Sequence, residues 1–133
     1  AYCDAIKINP ENAKAYCKCG MALWEKDYTE EAIVAYHKAI DLNPDYAIAH
    51  NNLGVIYLDD LGRVQNAIEL FEKAIKYNPN YALAHYNLGR SVAIKGDKVE
   101  AAKLYQIAMD LNNVTNELDP QEITDKIQGL FDS

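Results

Sequence analysis

Cys17 and Cys19, separated only by Lys18, are a pair of thiols that could bind a soft metal or cycle to a disulfide. On a helix, residues two apart point about 200° away from each other, so their sulfurs diverge. With Cys3 the count is odd and lacks a disulfide framework, so three reduced thiols in ordinary packing are expected. His50 and His85 could act as bases or metal ligands. They stand 35 residues apart in stretches of similar sequence, and a duplicated position argues for architecture rather than one reacting centre. No Ser–His–Asp, Cys–His or paired-carboxylate constellation stands out, so no catalytic residue, metal or cofactor is expected. Asn113-Val114-Thr115 fits the glycosylation sequon, but a single sequon without a visible secretory signal carries little weight. Asn52 and Asn87 differ in kind. A side-chain amide donates and accepts at once, and two of them 35 residues apart could hold a peptide backbone of any sequence.

The elements that must position these residues are visible in the spacing. Pro10, Pro44 and Pro79 each follow an asparagine, 34 and 35 residues apart, and Gly20, Gly54 and Gly89 each lie 10 residues after a proline. Between prolines the apolar residues recur with helical period, interrupted by a turn, as in Ala49, Leu53, Ile56 and Tyr57 followed by Ala67, Ile68, Phe71 and Ala74. The expected helices are Ala13–Lys26 with Thr29–Leu42, Ala47–Asp59 with Val64–Tyr77, and Ala82–Lys95 with Lys98–Leu111. Gly20, Gly54 and Gly89 fall inside the first helix of each pair, where glycine costs about 1 kcal/mol against alanine. A recurring costly residue needs a packing reason, and close approach of the second helix at Ala32, Ala67 and Ala101 is the one expected. Such units cannot bury their apolar faces alone, so they stack into an all-α solenoid.

These positions resemble the tetratricopeptide repeat. The second unit supplies His50, Leu53-Gly54, Tyr57, Ala67, Phe71, Ala74 and Pro79, and the first supplies Tyr16, Cys19-Gly20, Leu23, Ala32, Tyr36, Ala39 and Pro44. The third has His85, Leu88-Gly89, Val92, Ala101, Tyr105 and Ala108, with Asn113 in place of the proline. The expected organisation is residues 1–10 as the tail of a truncated repeat, repeats at 11–44, 45–79 and 80–113, and a C-terminal capping helix in 114–133. Tyr2, Ala5 and Pro10 carry the truncated unit, and the chain reads as a piece of a longer protein. The resemblance implies a right-handed α-solenoid of helix-turn-helix repeats whose first helices line a concave groove. It places Lys14, Lys18, Met21 and Trp24 there from the first unit, beside Cys17. Ile48, Asn51, Asn52 and Val55 follow from the second, and Leu83, Tyr86, Asn87 and Arg90 from the third. Related repeat proteins use an asparagine ladder to hold peptides, which is what the resemblance implies for Asn52 and Asn87. Repeats that capture the carboxylate tail of heat-shock chaperones carry cations where this chain has Cys17, Leu83 and Asn87, and asparagines where it has Met21 and Asn52; only Asn52 agrees, so a carboxylate clamp is not expected.

The 133 residues carry a net charge of −7 with no Lys or Arg cluster, which argues against nucleic acid as a partner. No 18-residue apolar run exists, so no membrane span is expected, and the acidic composition suggests a cytoplasmic setting. Asp119-Pro120-Gln121-Glu122 reads as a helix start, and Ile123, Ile127, Leu130 and Phe131 form one apolar stripe on a helix over Pro120–Phe131. That helix is expected to cap the third repeat, the rival being that it reaches into another molecule's groove. A protein-interaction scaffold and not an enzyme is therefore expected, taking an extended peptide or short helix, with Trp24 and Tyr86 as aromatic anchors. The alternatives are self-association within a longer solenoid, or selection of substrates for a catalytic part outside this segment.

Overall fold

The structure, a computed structural model, describes residues 12–115 and 118–132. The readings of residues 1–10 and of Cys3 lie outside the described residues, as do the side chains of the Asn113–Thr115 sequon.

Among the described residues the chain forms helices only: α1 (Ala13–Glu25), α2 (Thr29–Leu42), α3 (Ala47–Asp59), α4 (Val64–Tyr77), α5 (Ala82–Ile94), α6 (Lys98–Thr115) and α7 (Pro120–Phe131). They pair as three hairpins, α1 with α2, α3 with α4 and α5 with α6, each stacked on the next through its second helix, and α7 packs on α6. This is an all-α solenoid. The turn inside each hairpin contains one residue with positive φ, Asp27 (67°), Gly62 (65°) and Gly96 (96°). Glycine and aspartate are among the residues that take this conformation at low cost.

Helix ends follow local chemistry. The Asn12 side chain accepts from the backbone amides of Lys14 (3.0 Å) and Ala15 (3.3 Å), and Asp119 accepts from Gln121 (3.0 Å) with Pro120 in the first turn. Asn43 (φ −143°, ψ 86°) and Asn78 (φ −141°, ψ 86°) leave the helical region at the ends of α2 and α4, which a following proline disfavours. The third hairpin has no such proline, and α6 runs four residues past the expected Leu111. Asn112 therefore stays helical and buried. Its amide donates to the Leu118 carbonyl (2.8 Å) and accepts from the Leu118 N–H (2.7 Å), fixing the approach to α7.

The recurring glycines do mark close approach, but the ring of the second helix is what fills the space. A Cβ at Gly20, Gly54 or Gly89 would lie 2.9, 2.6 or 2.8 Å from the rings of Tyr36, Phe71 and Tyr105 respectively. Ala32, Ala67 and Ala101 are fully buried beside these contacts. His50 and His85 are architectural: Nε2–H of each donates to a carbonyl of the preceding turn, Pro44 (2.8 Å) and Pro79 (2.9 Å). Nδ1 is then the bare nitrogen of the neutral ring, and it is buried without a partner in both residues. Burial lowers the His50 pKa, which favours that neutral form.

Candidate functional site

The first helices α1, α3 and α5 carry the residues expected on the concave face, and the structure sorts them into three groups. Lys14, Lys18, Met21 and Ile48 are exposed, while Trp24, Asn52, Val55, Leu83 and Arg90 are half-buried. Asn51, Tyr86 and Asn87 are buried, a correction to the expectation that they present themselves to solvent. The cause is contact between adjacent repeats. A side chain near the middle of each first helix reaches back to the preceding one: Asn52 Nδ2 to Cys17 Sγ (3.9 Å), and Asn87 Nδ2 to Asn51 Oδ1 (3.0 Å).

These two contacts are unequal. Asn52 holds Cys17 through a long contact to sulfur, and its Oδ1 accepts from Asn51 at 3.4 Å, near the limit for a hydrogen bond. It also meets the Tyr36 hydroxyl, whose pKa is raised by burial and lowered by Asn52. Asn87 is held more tightly: it donates to Asn51, and its Oδ1 accepts from Arg90 Nη1 (3.2 Å). Arg90 Nη2 in turn reaches Asp59 Oδ1 at 2.6 Å, joining α5 to α3. Ser91 donates to the Asn87 carbonyl (2.9 Å) beneath this network.

Tyr86, expected as an exposed anchor, is covered by α7. Its hydroxyl donates to Glu122 Oε1 (2.9 Å), and its ring belongs to a core with Ala101, Tyr105, Ala108 and the fully buried Ile123. Burial raises the Tyr86 pKa, and the Glu122 carboxylate adds to the shift. Trp24 keeps a half-exposed ring, with Nε1–H donating to Asp60 Oδ2 (2.8 Å), an oxygen that also accepts from Thr29 (3.2 Å).

The thiols require another correction. Cys17 and Cys19 are both buried rather than one facing the groove. Burial pushes the Cys17 thiol up to about 11, so it is no nucleophile at neutral pH. Cys19 is disulfide-bonded, against the expectation of reduced thiols. Disulfide formation depends on two Cβ atoms meeting in space, which an odd count does not report. Among the described residues no group of three or more His, Cys, Asp or Glu could hold a metal, and no helix is long and apolar enough to cross a membrane.

Beside Arg90 lies a cleft between α5 and α7, lined in part by Tyr105 and Glu122. Neither was legible as a surface residue: Tyr105 occupies the aromatic core position shared with Tyr36 and Phe71, and Glu122 reads as a helix-start residue. The one available signal was that Tyr36 and Tyr105 carry a hydroxyl where Phe71 has none.

Two sequence models match this chain, one described as a TPR repeat over residues 29–60 and one as a tetratricopeptide repeat over residues 57–113. Curated relatives include the "Probable UDP-N-acetylglucosamine--peptide N-acetylglucosaminyltransferase SPINDLY" of Hordeum vulgare, 38% identical over 61 residues (46% of this chain, 6% of that protein). Another is a "Peroxisomal targeting signal receptor" of Candida glabrata, 39% identical over 51 residues (38% of this chain, 9% of that protein). The chain thus spans less than a tenth of the length of these relatives. Among solved structures, the first TPR of Spaghetti (RPAP3) bound to HSP90 peptide SRMEEVD superposes with a TM-score of 0.80. That match covers 90% of each chain at 22% identity, a likeness of fold.

Proposed function

The chain belongs to the tetratricopeptide repeat family, and we propose that it is a protein-interaction scaffold holding an extended peptide or short helix on its concave face. One observation carries the reading: the strip over α1 and α3 leaves Lys18, Met21 and Ile48 exposed and Asn52 half-buried, with Asn52 held by a 3.9 Å contact to sulfur and a 3.4 Å bond from Asn51. Its amide can exchange those contacts for a peptide backbone at little loss, while Met21 and Ile48 offer apolar surface beside it. The Candida glabrata relative is named for reading a targeting signal, and a protein of this fold has been seen with a short peptide bound, which supports the same reading.

In this proposal Asn52 holds the peptide backbone and Trp24 contacts an apolar side chain at the α1 end. Asn87 supports the face from beneath. No reaction is assigned to these residues. The matched portion of the Hordeum vulgare transferase is 6% of its length, and no acid, base or nucleophile constellation accompanies it here. The proposal includes a cytoplasmic setting, on the acidic composition. A disulfide at Cys19 retained in protein taken from intact cells would count against that setting, since reducing compartments keep thiols open.

A peptide array probed with the intact chain, Asn52→Ala and Trp24→Ala tests the reading. Asn52→Ala should weaken peptides of unrelated sequence alike, by about 0.5–1.5 kcal/mol for a lost neutral hydrogen bond. Trp24→Ala should penalise only peptides with an apolar residue at that end. Amidation of an acidic C-terminal tail should leave binding unchanged, because Cys17, Leu83 and Asn87 stand where a carboxylate clamp needs cations. Unaltered binding by both variants would place any ligand elsewhere.

A further inference from the structure

The cleft between α5 and α7 has a chemistry of its own. It encloses about 650 Å³ and holds Tyr105, a residue only 2% exposed whose ring is pinned over Gly89. The Tyr105 hydroxyl makes no hydrogen bond with any described residue. Among the described residues the buried side-chain atoms without a partner are His50 Nδ1 and His85 Nδ1, so the Tyr105 hydroxyl, partnerless too, opens onto the cleft it lines. Its counterpart Tyr36 meets Asn52 instead, and Phe71 has no hydroxyl to place.

Arg90 forms the neighbouring wall. Asp59 and Asn87 engage two of its N–H groups and fix the guanidinium, leaving three of the five donors uncommitted among the described residues. On the α7 side Glu122 uses Oε1 for Tyr86, and Asp125 accepts from Gln121 (2.9 Å) on its own helix. Arg90 and Lys126 balance Glu122 and Asp125, so the formal charges lining the cleft cancel. Ala93, Ile94 and Leu130 supply an apolar wall, with Ile94 62% exposed.

A carboxylate entering this space would gain two cations and meet two carboxylates, and an ammonium would face the reverse. A neutral amide avoids both conflicts and uses both kinds of group. Its carbonyl can accept from Tyr105 and Arg90, and its N–H can donate toward Glu122 or Asp125. We propose that this cleft is a subsite for an uncharged peptide amide bearing an aliphatic side chain, with Tyr105 and Arg90 donating to its carbonyl. The inference deepens the reading of the concave face and rests on it, by naming the ligand chemistry at one end.

Three leucine derivatives separate charge from shape: N-acetylleucinamide (neutral), N-acetylleucine (anion) and leucinamide, a cation at about pH 6.5. Each is titrated into ¹⁵N-labelled full chain while the amide signals of Ala93, Tyr105 and Gly129 are followed. The neutral probe should shift these signals saturably and bind more tightly than either charged one. Tyr105→Phe should fold normally, because Phe71 fills the same place in the second repeat, and should weaken the neutral probe by about two- to tenfold. Preference for a charged probe, equal affinity in Tyr105→Phe, or no saturable shift would each overturn the subsite. Asn52→Ala, which tests the α1–α3 strip, should leave the cleft titration unchanged. Array binding unaltered by Asn52→Ala and Trp24→Ala, with a saturable cleft titration, would therefore sink the broader reading alone, and weakened array binding with no saturable cleft titration would sink only the subsite.

Discussion

Around α1 and α3 the residues expected to meet a ligand are open, with Met21 44% and Ile48 41% exposed and Asn52 loosely held. Around α5 the equivalent residues are engaged: Tyr86 lies under α7, Asn87 bonds both Asn51 and Arg90, and Arg90 joins α5 to α3 at the edge of the cleft. Asn52 and Asn87 occupy one position of one repeat, so residue type does not separate them. What separates them is the preceding helix, which offers a thiol to Asn52 and an amide to Asn87. A sulfur is a poor acceptor and leaves Asn52 exchangeable. An amide is a good one and locks Asn87 into the core.

The contrast can be broken most forcefully at the two isoleucines on either side of it. Ile123→Ala removes the fully buried contact of α7 and should cost about 2–5 kcal/mol in urea unfolding. Ile48→Ala, at the open end, should stay within about 0.5 kcal/mol, as surface substitutions do. Comparable losses would mean that the two halves are equally packed.

The asparagines sharpen the same contrast. Asn87→Ala strands a buried acceptor on Asn51 and a donor on Arg90, and should lower stability by about 1–3 kcal/mol. Asn52→Ala should leave the unfolding midpoint close to that of the parent and change binding alone. If both melt alike, the division between ligand-holding and supporting amides fails.

The smallest effect concerns His50, which fixes α3 to the turn before it. Its folded pKa is lowered, so the unfolded chain binds the extra proton. Stability is then full above the ordinary value of 6.5 and falls as the pH drops below it toward the folded pKa. His50→Gln keeps an N–H for the Pro44 carbonyl and should flatten that part of the pH profile. An unchanged profile in the variant would assign the acid sensitivity to other groups.

Much of the fold was legible because it is local. Periodic apolar residues, Asn-Pro stops and the N-cap of Asp119 act within a few residues, and the observed helices begin where those signals put them. The end of α6 differed because a missing proline removes a stop without naming the next one. The close approach at the glycines was legible too, though not the ring that causes it, since a helix pair is read from spacing and not from which side chain turns inward.

By itself, then, the sequence determined the repeat and its helices, and it named a set of residues on the first helices. Tertiary structure alone decided which members of that set remain available. Burial of Asn51, Tyr86 and Asn87 depends on partners 35 or more residues away, on a different helix. The bonding of Cys19 and the opening of the Tyr105 hydroxyl onto the cleft likewise turn on what comes near in space. Helical periodicity fixes the direction in which a side chain leaves its own helix, and only the stacking of neighbours settles what it meets there.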